Sequence, residues 1–214
     1  LSLIYLQRAL LPLDALNPGV GMDHPMRKVV RQVAFERDGW TKERAKKVGD
    51  LFDSMAEDWS QRSGAERTEA LLDGLNRAQY LNGRCLEIGC GTGSNLELLC
   101  NFFGEVVGID LSLSMLLKMT TQSPPVINCD ASCLPFSDES FDSIVIQNSF
   151  LFRDEVLRLL RPSGALFWVS TNADRTPIYL SPYDVHKALG ADFNGVTSLA
   201  GNGIWSAFSR SMTT

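Results

Sequence analysis

Residues 84–95, Arg84-Cys85-Leu86-Glu87-Ile88-Gly89-Cys90-Gly91-Thr92-Gly93-Ser94-Asn95, constrain this chain more than any other stretch. A short apolar run with an acid near its end breaks into three glycines at alternate positions, and a helical pattern follows. That order predicts a strand, a tight turn and a helix N-terminus. Glycine permits backbone conformations and close approaches that a Cβ forbids, and the first amides of a helix have no partners inside it. The ligand that approaches those amides sets what the chain does.

From residue 85 onward, apolar runs of strand length alternate with helical patterns, the signature of an α/β fold with a mostly parallel sheet and helices on both faces. Strands are expected over 85–88, 105–109, 125–129, 141–147 and 165–170, with helices over 95–103, 113–120, 154–160 and 181–190. Arg161-Pro162-Ser163-Gly164 reads as the turn into the fifth strand, and Ser181 as the cap before Pro182. Runs at 193–199 and 204–209, joined by Ala200-Gly201-Asn202-Gly203, form a closing hairpin. Ligands of such sheets bind at the C-terminal ends of the strands, at the switch point beside the first.

The first eighty residues read as an N-terminal helical extension and cap, and 81–214 as the core. Residues 1–13 are apolar, without a basic leader or a small-residue cleavage site, so they are expected to be an amphipathic helix docked on the body or on a second subunit. Asn17-Pro18-Gly19-Val20-Gly21 breaks the chain after it. Thr41 caps a helix over 41–62, in which Val48, Leu51, Phe52, Met55 and Trp59 recur at helical spacing. Ser63-Gly64 ends it, a short helix spans 66–75, and Leu81-Asn82-Gly83 turns into the first strand. Between residues 27 and 47 basic side chains outnumber acidic ones, which fits a solvated helix face better than an RNA contact because aromatic residues are sparse there.

Composition narrows the class. At 214 residues the chain suits one α/β domain with an appendage, and a net charge of -5 argues against bulk electrostatic binding to nucleic acid or acidic membranes. The five cysteines form no CxxC pair and have no histidine nearby, as expected for reduced thiols in a cytoplasmic protein and not for a metal site. No apolar run reaches the length of a membrane span.

Three ligands compete for the glycine turn. A P-loop needs a lysine after the glycines, and none is present. A dinucleotide site wants a small residue third in GxGxxG, where Ser94 stands. The third is S-adenosylmethionine, a zwitterion without phosphates: Glu87 suits its ammonium and would repel a pyrophosphate. Asp110, ending the second strand, is placed to accept from ribose hydroxyls, a feature that fits NAD equally well. Asp130, ending the third, can accept from the amine of adenine.

With these residues in place the chain resembles the class I S-adenosylmethionine-dependent methyltransferases and is similar to their type 11 members. Glu87-Ile88-Gly89-Cys90-Gly91-Thr92-Gly93 matches the first motif, and Val107-Gly108-Ile109-Asp110-Leu111-Ser112 with Met115 the second. Asp130-Ala131 with Leu134-Pro135-Phe136 and Ser140-Phe141-Asp142 matches the third, and Leu159-Leu160-Arg161-Pro162-Ser163-Gly164 the turn before strand five. The resemblance covers roughly residues 45–210 and implies a Rossmann-like three-layer sandwich. Its sheet would have seven strands, mostly parallel, in the order 3-2-1-4-5-7-6, with the last antiparallel. It further implies that Glu87, Gly89, Gly91 and Gly93 hold the methionine part of the cofactor and Asp110 the ribose diol. Leu111 and Met115 would pack on the adenine, Asp130 and Ala131 would read its edge, and Gln147 would lie near the amino-acid tail and sulfonium.

The acceptor side is less defined. The family often carries a longer stretch after strand four, with a histidine pair; here Asn148-Ser149-Phe150-Leu151-Phe152-Arg153 stands alone. Asn148, Ser149, Phe150, Phe52, Tyr179 and Tyr183 are the expected pocket walls, and His186 and Tyr183 the only candidates for a proton-transfer role. Methyl transfer is mainly alignment and exclusion of water, with a base needed only for an acceptor that must lose a proton. The leading reading is a methyltransferase for a small-molecule acceptor, working as a monomer or homodimer. An RNA or protein methyltransferase and a non-catalytic cofactor-binding partner are the alternatives.

Overall fold

A computed structural model describes residues 2–12, 21, 23–59, 65–78, 83–119 and 124–211. One sheet of eight strands runs through it: β1 (Leu3–Tyr5), β2 (Arg84–Ile88), β3 (Glu105–Asp110), β4 (Val126–Asn128), β5 (Phe141–Gln147), β6 (Leu160–Ser170), β7 (Phe193–Ala200) and β8 (Gly203–Arg210). Their spatial order is β1-β7-β8-β6-β5-β2-β3-β4. All neighbours are parallel except β8, which is antiparallel to both β6 and β7.

Alternation along the central strands sorts side chains into two cores, as the two-residue period of a strand requires. Ile144, Ile146, Leu166 and Trp168 face α1 (Met26–Phe35), α2 (Lys42–Met55), α6 (Arg153–Leu159) and α7 (Pro182–Leu189). Val145, Ala165, Phe167 and Val169 face α3 (Glu69–Arg77) and α4 (Leu96–Cys100). A short α5 (Leu113–Leu116) follows β3. Because both faces are covered, the inner strands are mostly apolar on both sides, as in Ile144–Ile146 and Ala165–Val169.

The expected seven-strand sheet is therefore present with an eighth strand added, and the source of that strand corrects the reading of residues 1–13. Leu3–Tyr5 is not helical but an edge strand parallel to β7, with Leu3 opposite Gly195. Gly195 N–H donates to Ser2 O at 2.8 Å and Leu6 N–H to Thr197 O at 2.8 Å. The backbone groups that β7 would otherwise leave open draw this segment into extended form. Helix α3 also belongs to the sheet's own packing: Trp205 Nε1 on β8 donates to Asp73 Oδ2 at 2.6 Å.

Local signals hold where they rest on side-chain chemistry. Thr41 Oγ1 accepts from Arg44 N–H at 3.2 Å and Ser181 Oγ from Asp184 N–H at 3.0 Å, so both expected caps form. The expected turn at 161–164 is instead taken into β6, which pairs with β5 through a register shift between Phe141 and Ser143. The breakers expected at 17–20, 63–64 and 81–82 lie outside the described residues.

Several side chains of the basic segment make intramolecular contacts. Arg31 pairs with Asp184 at 2.9 Å, Lys46 with Asp50 at 2.7 Å and Lys47 with Glu43 at 2.7 Å. Arg27 donates to the Asp174 carbonyl and lies 4.9 Å from the centre of the Tyr179 ring.

Candidate functional site

A cavity of about 420 Å³ opens at the C-terminal ends of β2, β3, β4 and β5, beneath α2 and the loop before it. Glu87, Gly89, Gly91, Asp110, Leu111, Met115, Asp130, Ala131 and Gln147 all line it, as do Phe52, Asn148, Ser149 and Phe150. Residues that the sequence spreads over a hundred positions are thus gathered on one cavity.

The turn is built as its glycines require. Gly89 and Gly91 have φ of +78° and +56°, a region that L side chains enter only under strain, and a Cβ on Gly89 would lie 2.4 Å from Ser149 Oγ. Gly93 shares the left-handed conformation but lies behind the turn against Met119, away from the cavity.

Glu87 is 1% exposed. Asn95 Nδ2 donates to its Oε1 at 2.8 Å, while Oε2 has no hydrogen-bond partner. Burial pushes this carboxyl up to about 8 from 4.5, with the nearby Asp110 charge adding to the effect. A buried carboxylate with one free oxygen, facing a cavity, is chemically suited to a ligand cation.

Asp110 is fixed at both oxygens: Gly91 N–H donates to Oδ2 at 2.8 Å and Ser112 N–H to Oδ1 at 2.8 Å. It therefore closes the glycine turn as well as facing the cavity, and burial raises its pKa. Ser112 Oγ donates to Asp53 Oδ1 at 2.5 Å, which ties the cap helix α2 to the loop after β3. On the same helix Phe52 meets Trp59 edge-on at 5.9 Å, and Trp59 Nε1 is 3.7 Å from the position a Cβ on Gly91 would take. Arg67, over the Trp59 ring at 5.6 Å, also lines the cavity.

Beyond β5 the wall is aromatic. Asn148, at φ +50°, donates from Nδ2 to Thr171 Oγ1 at 2.9 Å and accepts from Thr171 N–H at 3.0 Å. Its polar atoms lock the ends of β5 and β6 together. Trp40 packs 5.3 Å from Phe150 and 5.1 Å from Phe152, and its Nε1 donates to both oxygens of Asp130 at 3.0 and 2.9 Å.

Besides Gly93, three expected site residues are elsewhere. His186 is 6% exposed, its Nε2 2.6 Å from the Phe193 carbonyl and its ring stacked on Phe208, so it cannot serve the cavity as a base. Tyr183 is 64% exposed on α7, outside the cavity. Tyr179 lies under Arg27, and burial pushes its phenol up to about 12. The 3.6-residue period that buries Val185 and Leu189 carries His186 inward as well.

His24 is the imidazole that does line the cavity; its Nδ1 accepts from Met26 N–H at 3.2 Å. Neither it nor Trp40 belongs to any local motif. The thiols at the site are held protonated: burial raises Cys90 far above its ordinary value and Cys129 to about 11. Among the described residues no group of three His, Cys, Asp or Glu side chains is placed to hold a metal ion, and no helix is long and apolar enough to cross a membrane.

Comparison with known proteins agrees with this geometry. Residues 86–168 match the family described as "Methyltransferase domain". Demethylmenaquinone methyltransferase of Roseiflexus castenholzii is 34% identical over 140 residues, covering 55% of this chain and 58% of that protein. The enzyme of the same name from Clavibacter sepedonicus is 30% identical over 164 residues, 65% of this chain and 64% of that one. The chain thus spans less than two thirds of the length of either relative. In fold it is similar to the PH0226 protein of Pyrococcus horikoshii, with a TM-score of 0.55 at 20% identity over 80% of this chain and all of that one. The DhpI-SAM-HEP complex gives 0.63 at 14% identity, over 79% of this chain and 99% of that one.

Proposed function

We propose, for a chain whose core belongs to the class I S-adenosylmethionine-dependent methyltransferases, that it binds S-adenosylmethionine and transfers the methyl group to a small, largely apolar acceptor. The observation that carries the reading is Glu87, a buried carboxylate with one partnerless oxygen on a cavity whose glycine turn no lysine accompanies. An ammonium would draw this carboxyl into its ionised form and complete its bonding, whereas a phosphate would find no cation on the turn to pair with.

The residues present fit that cofactor. Glu87 and the turn at Gly89 and Gly91 would hold the amino-acid part, and Arg67 would complement its carboxylate. Asp110 retains lone pairs for a ribose diol after accepting two backbone amides. Leu111 and Met115 would pack on the base. When bound, S-adenosylmethionine supplies an electrophilic methyl group on a cationic sulfur.

The chain's own contribution is alignment and dryness. Phe52 and Trp59 cover the turn, Asp53 anchors α2 through Ser112, and the rings of Trp40, Phe150 and Phe152 form a wall beyond Ser149. Water excluded from that space cannot compete with the acceptor, and a held acceptor meets the methyl without orientational loss. His24 can hold a polar atom of the acceptor from Nε2, because its Nδ1 is engaged by Met26.

A small acceptor is supported by the aromatic wall and by the substrates in the relatives' names, and the intramolecular pairs of Arg31, Lys46 and Lys47 favour it over an RNA acceptor. Calorimetric titration with S-adenosylmethionine and S-adenosylhomocysteine tests the reading. Saturable binding that Glu87→Gln weakens is expected, and absence of binding by the unaltered protein rejects it.

A further inference from the structure

We infer that Asp130 is a positioning residue for Trp40, and that Trp40, held in this way, selects flat apolar acceptors. The inference rests on the methyl-transfer reading and names the acceptor class of the same site.

A carboxylate at the end of β4 is placed to meet the edge of a bound base, and both of its oxygens also accept from the chain itself. Trp40 Nε1–H points between Oδ1 and Oδ2, at 3.0 and 2.9 Å, and Ser132 N–H donates to Oδ1 at 2.9 Å. An indole shared between both oxygens fixes the ring in direction as well as in position, since turning it in either sense lengthens one contact.

The loop that carries Trp40, between α1 and α2, is secured independently. Arg44 donates to the Gly39 carbonyl and, at 3.0 Å, to Gln32 Oε1, and Gly39 N–H donates to the Glu36 carbonyl at 3.0 Å. A Cβ on Gly39 would fall 2.0 Å from the Gln32 carbonyl oxygen, so the loop closes tightly on α1. With its backbone set by the cap and its ring set by Asp130, Trp40 has little freedom left.

The place where it is held gives the consequence. Trp40 lies 5.3 Å from Phe150 and edge-on to Phe152 at 5.1 Å, and Phe150 and Phe152 are themselves 6.4 Å apart. These three rings continue the cavity from the end of β5, with Met26 and Ile178 also on its lining. Aromatic rings prefer offset or edge-on partners, so a planar guest gains contacts that a puckered ring of equal size or a polyol cannot match. Asp130 therefore affects the acceptor through the indole, without touching it.

The experiment uses the full chain loaded with S-adenosylhomocysteine. Binding of 2-naphthol, a flat apolar probe with one hydroxyl, is compared by calorimetry with that of decahydro-2-naphthol, its puckered counterpart. The unaltered protein should prefer 2-naphthol. Trp40→Phe, which removes the N–H, and Asp130→Ala should each reduce that preference by about fivefold or more, and the double variant should lose no more than either single one. Asp130→Asn, which preserves shape and one acceptor oxygen, serves if Asp130→Ala does not fold, and should lose part of the preference. Affinity for S-adenosylhomocysteine should stay within about threefold in Trp40→Phe. Additive losses overturn the coupling between the two residues. A loss of about tenfold or more in S-adenosylhomocysteine affinity in the Asp130 variants, with naphthol preference intact in Trp40→Phe, assigns Asp130 to the base instead. Equal binding of the two probes, or none, by a protein that does bind S-adenosylhomocysteine overturns the acceptor class alone. Failure of the unaltered protein to bind S-adenosylhomocysteine rejects the methyl-transfer reading itself.

Discussion

Asn95 Nδ2 reaches Glu87 Oε1 at 2.8 Å and leaves Oε2, buried on the same cavity, without a partner. The pair spans the glycine turn, from the last residues of β2 to the residue before α4, so the turn and the acid that faces its ligand form one unit. Everything a cationic ligand would meet there is set before it arrives.

This pair gives stability a characteristic pH dependence. The Glu87 carboxyl sits at about 8 in the fold against 4.5 for the ordinary group, so between those values the folded chain holds a proton that the unfolded chain has released. Its contribution to stability is fully present below about pH 4.5 and is lost as pH rises through about 8. Thermal melts of the ligand-free protein should show that decline, and Glu87→Gln, which cannot ionise, should flatten it. S-adenosylhomocysteine should also reduce it by compensating the carboxylate.

Asp110→Ala removes two kinds of bond at once. Cofactor affinity should weaken by at least about 1.5 kcal/mol through loss of charge-assisted bonds to the diol. Because Asp110 also accepts from Gly91 and Ser112, the melting temperature should fall even without ligand. Calorimetry with S-adenosylhomocysteine and a parallel melt separate these effects, and unchanged affinity would remove Asp110 from the site.

Gly89 and Gly190 allow a paired test of the turn. Both have positive φ, +78° and +101°, but a Cβ meets Ser149 Oγ at 2.4 Å at the first and nothing within 4 Å at the second. Each alanine substitution should cost about 1–2 kcal/mol in backbone strain. Gly89→Ala should cost more than Gly190→Ala and should alone impair cofactor binding. Equal losses in urea midpoint would show that Ser149 moves aside freely.

Asp73 joins α3 to the sheet. Its Oδ2 accepts from Trp205 Nε1 at 2.6 Å and from Arg77 at 2.9 Å, with Trp205 fully buried. Asp73→Ala leaves an indole N–H without a partner in the core and should destabilise the protein by about 3 kcal/mol. Asp73→Asn, which keeps an acceptor oxygen, should cost clearly less in urea denaturation.

The parts of the site that lie on one strand-turn-helix were legible because their chemistry is local. Glu87, Gly89 and Asp110 follow from spacing along consecutive strands, and Thr41 and Ser181 from the needs of helix N-termini. Trp40 was not legible. Its partner Asp130 is ninety residues away, and an indole between two helices looks the same whether it faces solvent or a carboxylate. His186 misled for the opposite reason, since a histidine three residues from Tyr183 on the same helix looks available until its burial against Phe193 and Phe208 is seen. The apolar content of residues 3–5 fits a helix or a strand equally well, and only the open edge of β7 decides between them.

The pairing of Leu3 with Gly195 also bears on how the molecule is made. During synthesis residues 3–5 leave the ribosome well ahead of their partner strand, which lies nearly two hundred residues later. The segment must wait, apolar and unpaired, while β2 to β6 assemble beside it. Residues 195 and 197 then receive it through bonds to Ser2 and Leu6, so that the outer border of the sheet is sealed only after β7 has emerged.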